Sequence, residues 1–485
     1  MKTVSLITFG CAKNLVDSEV MAGCLRDAGY ALASDLPKSD IVILNTCGFI
    51  GPAKDEAAAA IENALALKRK KPATRVIVAG CFTERYEPEL RKTYPRVDAW
   101  VGVKDYDQIV SIVEGKKFRA SDRTFLLSHR TPRALSTPAS WAYLKISEGC
   151  SHRCAFCSIP LIKGIYRSRP ISSILEEARR LAAAGVKEIN LISQDTTYFG
   201  RDKSRSGRLA GLLRGLTKIG GLEWIRILYG YPEEITSDLL EAMREPKICP
   251  YLDIPFQHAA PALVRKMKRG MDGDRALRLL DRIRKNLPGA AIRTSLIVGF
   301  PGEGPSEFRA LQSFVREAAF DHLGVFTYSR EEGTTAYRFG DPIDERLKQE
   351  RRGTILSLQA GISASKLKKH VGRTLDVLLE GAWKEDVKTL IGRTRFQAPE
   401  VDGVVFVRPP SAAGAGALAS TPAPAGAPGI ARGSTSAVLA REYKPRSSGE
   451  PKARPLTRSD LPPGPIQKVE ITASDVYDLQ GITAE

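Results

Sequence analysis

Three times in the first 81 residues a short apolar run ends at a cysteine beside a glycine and gives way to a helical stretch. The runs are 4–9, closing at Gly10-Cys11; 41–44, closing at Asn45-Thr46-Cys47-Gly48; and 75–79, closing at Gly80-Cys81. Strands that alternate with helices pair in parallel. A parallel sheet gathers its strand-to-helix turns at the carboxyl edge, where open α/β folds build their sites. Glycine beside each cysteine lets the backbone approach a bulky ligand. Cys11, Cys47 and Cys81 are therefore expected to converge, although they lie far apart in sequence. Three converging thiolates suit an iron–sulfur cluster with one open iron; the competing reading is three unrelated buried cysteines.

A second triad is compact: Cys150, Cys154 and Cys157, separated by three and then two residues. A 4Fe–4S cluster normally takes four cysteine ligands. Three leave one iron open to a substrate or cofactor, as a catalytic zinc keeps one position free. Zinc sites favour paired spacings and a fourth ligand, which makes a zinc knuckle the weaker reading. Cys24 falls at four-residue steps from Val20 and Val16 on one helix face and reads as a small core residue. Cys249, before Pro250, reads as structural too.

At 485 residues the chain is long enough for two or three domains, each with its own core. Lys and Arg number 73 against 55 Asp and Glu, a net charge of +18, and the pI is about 9.5. That balance favours association with nucleic acid or a ribonucleoprotein, on non-specific electrostatics alone. Eight cysteines are too few for a disulfide scaffold and sit where metal ligation suits them better. The N-terminus reads directly into a strand and lacks the pattern of a signal peptide. No window offers eighteen uninterrupted apolar residues. A cytoplasmic chain with no membrane partner is expected.

The compact triad, with Phe156 just before its third cysteine, resembles the signature of the radical S-adenosylmethionine (SAM) superfamily. There the open iron chelates the amino and carboxylate groups of SAM, and an injected electron breaks the C–S bond to give a 5′-deoxyadenosyl radical. The whole chain resembles the methylthiotransferases of that superfamily, and within them the RimO family. Specific segments carry the resemblance: Gly10-Cys-Ala-Lys-Asn-Leu-Val-Asp-Ser-Glu19, Asn45-Thr-Cys-Gly-Phe-Ile50 and Ile192-Ser-Gln-Asp-Thr-Thr-Tyr198. Further on come Tyr251-Leu-Asp-Ile-Pro-Phe-Gln-His258, Ile292-Arg-Thr-Ser-Leu-Ile-Val-Gly-Phe-Pro-Gly-Glu303 and Gly324-Val-Phe-Thr-Tyr-Ser-Arg-Glu-Glu-Gly-Thr334. The tRNA-modifying relatives typically follow Asn-Thr-Cys with Ala-Val-Arg and carry Gly-Gln-Asn-Val where this chain has Ser193-Gln-Asp-Thr196. Gly304-Pro305 departs from the family's usual Thr-Glu, in a turn.

The resemblance implies an α/β chain of three parts: an N-terminal parallel α/β domain over 1–117, a partial (β/α) radical SAM barrel over 136–366, and a small antiparallel β-barrel, the TRAM domain, over 369–485. Strand-like runs at 143–146, 188–192, 224–228, 251–254, 292–297 and 323–327 supply six units for the partial barrel. Its carboxyl mouth holds the site, as in full barrels. Ser193, Gln194 and Asp195 follow the second strand, where the superfamily often contacts the SAM amino group, and Arg293, in the fifth, with 299–303 beyond it, suits the carboxylate and adenine; capping or turn roles are the competing reading of each. His258 reads either as a ligand or base or as a structural histidine, and Lys163 and Arg167 stay equally open. In the tail, runs at 371–380, 390–396 and 404–407 read as strands and 469–481 as a final strand and turn. Between them, 408–465 is dominated by Ala, Pro, Gly and Ser, with eight basic residues against three acidic. It reads as a disordered loop insertion, either without a role of its own or, in the sharper reading, a basic arm touching ribosomal RNA.

Removing hydrogen from an unactivated carbon is beyond acid–base chemistry at pH 7. In the scheme the family implies, two 4Fe–4S clusters share the task. One, on Cys150, Cys154 and Cys157, reduces SAM, and the radical removes hydrogen from the β-carbon of an aspartate in ribosomal protein number twelve of the small subunit. The other, on Cys11, Cys47 and Cys81, presents sulfur carrying a methyl group from a second SAM. A reductant protein such as flavodoxin or ferredoxin and a ribosomal protein or particle are the implied partners of a monomeric enzyme. Two rival readings remain. A tRNA adenosine methylthiotransferase would stack its base on aromatics such as Tyr198, Phe199 or Tyr229, and a non-catalytic iron–sulfur protein of the ribosome would release no 5′-deoxyadenosine.

Overall fold

The computed structural model describes residues 1–33, 36–117, 121–204, 208–383, 385–386, 388–408 and 465–483. Five strands form the first sheet: β1 (Thr3–Thr8), β2 (Ala31–Leu32), β3 (Ile41–Thr46), β4 (Arg75–Gly80) and β5 (Ala99–Val101). All pair in parallel, in the order β2-β1-β3-β4-β5. Every residue of β3 is buried, as an apolar run covered by helices on both faces requires. The covering helices are α1 (Ala12–Asp27), α2 (Gly51–Lys70), α3 (Cys81–Thr93) and α4 (Ile109–Glu114). In α2 the buried positions Ala53, Ala57, Ile61, Ala64 and Leu65 recur at helical spacing on one stripe.

The second sheet is also parallel and is built from β6 (Trp141–Lys145), β9 (Glu188–Ile192), β10 (Trp224–Ile227), β11 (Ile248–Asp253), β12 (Ala291–Val298) and β13 (His322–Thr327), each beside its neighbour in sequence. A short antiparallel pair, β7 (Ser147–Glu148) with β8 (Arg167–Ser168), brackets the compact cysteine loop and its helix α5 (Ile159–Lys163). Six consecutive parallel strands with helices between them make the open barrel that the sequence pattern predicts. The largest hydrophobic cluster, from Ala142 to Ile355, lies between these strands and their outer helices.

The helix Glu345–Lys368 leads into a closed barrel of β14 (Thr374–Ala382), β15 (Leu390–Thr394), β16 (Val405–Arg408), β17 (Ile466–Ser474) and β18 (Leu479–Thr483). Four of its pairings are antiparallel; β16 and β18 close it in parallel. The stretch read as a final strand and turn is two strands, because Asp475–Asp478 turns the chain back, with the Asp475 N–H on the Asp478 carbonyl. The insertion at 408–465 falls, but for its two end residues, outside the described residues.

Buried charge joins the three parts. Asp17 of α1 meets the core lysines Lys145 and, at 2.9 Å, Lys163; Lys145 also binds Glu148 at 2.7 Å. Glu331, beyond β13, takes Arg85 at 2.8 Å and Lys54 at 3.0 Å from the first domain. On the other side Glu188 of β9 accepts from Arg393 of β15 at 2.5 Å and Arg226 of β10 at 2.8 Å. Removing one partner of such a pair costs about 3–5 kcal/mol, since the other charge stays buried.

Candidate active site

The carboxyl edges of both parallel sheets face one cavity of about 460 Å³, and all six cysteines of the two triads line it. Local geometry explains the first triad. Gly10 and Gly80 hold φ of 99° and 103°, a region that L side chains rarely adopt. A Cβ on Gly80 would lie 2.4 Å from the Thr46 carbonyl, so only glycine lets β4 turn into α3 and deliver Cys81 here. A Cβ on Gly10 would stand 3.0 Å from that of Cys47, which shows how closely the Cys11 and Cys47 loops pack. Asn14 ties the three turns together: its Nδ2 donates to Phe9 O at 3.0 Å and Thr46 O at 3.3 Å, and its Oδ1 accepts from Cys81 Sγ at 3.5 Å.

The second triad rides a loop pinned by its backbone. Gly149, at φ 77°, approaches Ile165 so closely that a Cβ would lie 2.2 Å from its carbonyl. Cys150 N donates to Gly164 O at 3.0 Å, Ala155 N to Met267 O at 2.9 Å, and Ala336 N to Ala155 O at 2.7 Å. Arg269 reaches Cys154 Sγ at 3.6 Å. Burial pushes the Cys150 thiol up to about 11 and those of Cys157 and Cys81 to about 12, and it raises Cys47 well above its ordinary value. At neutral pH such thiols are protonated.

Around the cysteines, Gln194 and Asp195 line the cavity, Gln194 Nε2 donating to Glu148 Oε1 at 2.9 Å. Asp195 Oδ1 accepts from Thr197 and Tyr198, while Oδ2 meets His152 Nε2 at 2.6 Å. Ser193 does not reach the space: it is fully buried, its hydroxyl on Thr196 at 3.3 Å. Arg293 lines the wall, 3.2 Å from Asp253 and 3.4 Å from Asp402. His258 is structural, with Nδ1 accepting from Ala260 N at 3.1 Å and Nε2 3.3 Å from Glu303, away from the cavity lining. Lys163 belongs to the charge cluster with Asp17, and Arg167 donates to the Thr124 carbonyl. Cys24 is half-buried on the first domain's core and Cys249 fully buried, neither in the lining.

Several lining residues carry no signal that sequence reading caught. His152 lies flat on Tyr231, ring centres 3.7 Å apart, and the Arg269 guanidinium sits 4.0 Å from the same ring. His152 stands inside the cysteine loop and Lys13 inside the first cysteine motif, which were the available hints. Lys13 lies 3.2 Å over the Tyr229 ring. The small barrel adds Glu400, Asp402 and Tyr477; Tyr143 OH donates to Glu400 at 2.7 Å and Tyr251 OH to Asp402 at 2.6 Å.

Comparison with known proteins follows the same three parts. Residues 3–102 match the model described as "Uncharacterized protein family UPF0004", residues 144–315 the radical SAM superfamily and residues 371–420 the TRAM domain. The ribosomal protein uS12 methylthiotransferase RimO of Aquifex aeolicus is 44% identical over 405 residues, 83% of this chain and 90% of that one. That of Pelobacter propionicus is 44% identical over 411 residues, 83% and 91% of the two chains. Among solved structures, the radical SAM methyltransferase TsrM of Kitasatospora setae, with cobalamin and a [4Fe-4S] cluster bound, superposes with a TM-score of 0.51 at 16% identity over 69% of this chain and 77% of its own. That likeness bears on the fold alone. On its sequence and the order of its three parts, the chain belongs to the RimO family of radical SAM methylthiotransferases.

Proposed function

We propose that this chain adds a methylthio group to the β-carbon of an aspartate in ribosomal protein uS12, the protein its relatives are named for. In this reading Cys11, Cys47 and Cys81 hold one 4Fe–4S cluster and Cys150, Cys154 and Cys157 a second that binds SAM. The observation that carries it is the meeting of both triads in one cavity. The donors fit: thiolates are the ligands of such clusters, and all six cysteines of the two triads line one cavity. When bound, the clusters and SAM would supply the one-electron cleavage and the sulfur that side chains cannot.

The chain's own residues bind, orient and shield. Gln194 and Asp195, held by Glu148 and His152, are the proposed contacts for the SAM amino group, with Ser193 supporting them from behind. Arg293, steadied by Asp253 and Asp402, is the proposed contact for its carboxylate. The barrel segment with Glu400 and Asp402 forms part of the cavity wall. A flavodoxin or ferredoxin supplies the electron, and the chain works as a cytoplasmic monomer on the ribosomal protein or particle. Among the described residues no helix is long and apolar enough to cross a membrane.

A tRNA adenosine would need an open aromatic face. Tyr231 is covered by His152 and Arg269, Tyr229 by Lys13, Phe199 is in the core, and Tyr198 packs on His152 and Tyr166. Phe49, Phe156, Phe326 and Tyr328 also line the cavity, so the protein substrate is favoured by the relatives the chain matches and not by these contacts. Incubating the reconstituted chain with SAM, reductant and sulfide alongside uS12 or unmodified tRNA tests it by mass spectrometry. One methylthio group gained on the aspartate is the expected result; a gain on tRNA and none on the protein would overturn it.

A further inference from the structure

Among the described residues five basic side chains line the cavity, and four have a carboxylate, carbonyl or thiol partner. His152 is 2.6 Å from Asp195. Arg269 donates to the Pro255 carbonyl at 2.6 Å and reaches Cys154. Arg293 has Asp253 and Asp402. His322 has Asp402 at 3.4 Å and the Phe396 carbonyl at 2.8 Å.

Lys13 differs. Its residue is 8% exposed, it lines the cavity from the first turn of α1, and its ammonium rests on the Tyr229 ring. No carboxylate lies within ion-pair distance of it among the described residues; Tyr229 also shares a side-chain hydrogen bond with it, and Cys11 and Asp253 attract it from farther off. An ammonium carries three donors, and a buried charge is costly unless paired; one ring face and one phenol leave donors over for a carboxylate. Tyr229, beneath it, holds φ of 62°, where a bulky side chain is strained. Two bonds hold it there: its N–H donates to Asp253 at 3.1 Å, and its carbonyl accepts from Thr196 N at 2.9 Å. Strain maintained in this way clusters where ligands are clamped.

We infer that Lys13 is the anchor for the side-chain carboxylate of the substrate aspartate. The inference rests on the proposed function and deepens it, naming the group by which the site tells aspartate from a neutral residue. A carboxylate completes the ion pair that Lys13 lacks. The β-carbon is bonded to that carboxylate carbon, so anchoring it holds the reacting carbon on the side of the cavity that carries Cys11, two residues before Lys13 in the chain. SAM also bears a carboxylate, and the test separates the two sources.

Labelled recombinant uS12, with aspartate or with asparagine at the modified position, is titrated into the reconstituted full chain and followed by fluorescence anisotropy. Lys13→Gln and Lys13→Arg are measured beside the parent, with SAM affinity, iron content and melting in parallel. The parent should bind the aspartate form at least about 30-fold more tightly than the asparagine form. Lys13→Gln should erase that preference, so that enzyme and substrate changes are not additive, and Lys13→Arg should keep most of it. Equal binding of both forms by the parent would overturn the inference without any enzyme variant. So would an undiminished preference in a folded Lys13→Gln protein, or a loss confined to SAM affinity. If the parent neither binds nor modifies uS12 in either form, the proposed function itself falls, and that outcome is distinct.

Discussion

Cys47 and Cys81 are thiols that burial keeps protonated, and each would be an inert core cysteine but for its neighbours at the cavity. The prediction that follows is quantitative. The reconstituted protein should hold about eight irons, four for each cubane. Changing Cys150, Cys154 and Cys157 together to Ala should halve the iron and abolish release of 5′-deoxyadenosine. The same change at Cys11, Cys47 and Cys81 should also halve the iron yet leave 5′-deoxyadenosine measurable. Release that survives the first triple change would exchange the roles of the two sites. The cysteines were legible because each is announced by its own strand end or spacing. Asn14, His152, Tyr231 and Arg269 were not, since each acquires its place only when distant turns pack together. Ser193 shows the reverse: its motif is recognisable, but its hydroxyl turns to Thr196 and away from the cavity.

Among the elements, the parallel strands were plain because burial on both faces favours apolar runs, as at 41–44 in β3 and 76–79 in β4. The small barrel was harder. Its strands are half-exposed, and the parallel closure of β16 on β18 joins residues some seventy positions apart across the insertion. Glycine at the strand–helix turns is the testable element feature. Gly80→Ala would force a side chain into the Thr46 carbonyl at a φ of 103°, a strain on the order of 1–3 kcal/mol. We expect a lower melting temperature and iron lost from one cluster only. An alanine protein with full iron content and unchanged melting would show that the turn does not set the position of Cys81.

For the whole molecule, the joint between core and small barrel rests on Glu188 with Arg393 and Arg226. Burial alone would raise the Glu188 carboxyl; Arg393 and then Arg226 overcome it and hold its pKa below the ordinary 4.5. A depressed acid contributes stability that is full above its unfolded pKa, about 4.3, and is lost as pH falls through the lower folded value. Glu380, also on Arg393, is shifted upward by burial and works in the opposite sense, so the comparison must be made with Glu188 alone. Glu188→Gln should cost about 3–5 kcal/mol at pH 7, and the gap to the parent should narrow below about pH 4. Urea unfolding at pH 7 and at low pH reads both. A gap that does not depend on pH would mean that Glu188 is not ionised at the joint.

The Asp17 cluster has a consequence for modularity. Lys145, Lys163 and Glu148 lie in the core, and Asp17 comes from the first domain; the four charges cancel only as a set. Divided from its neighbour, the core would keep two interior ammoniums against one carboxylate. The two regions are therefore not interchangeable cassettes. A chimaera that takes its first domain from elsewhere inherits a stable seam only if the incoming helix offers an acid at the place of Asp17.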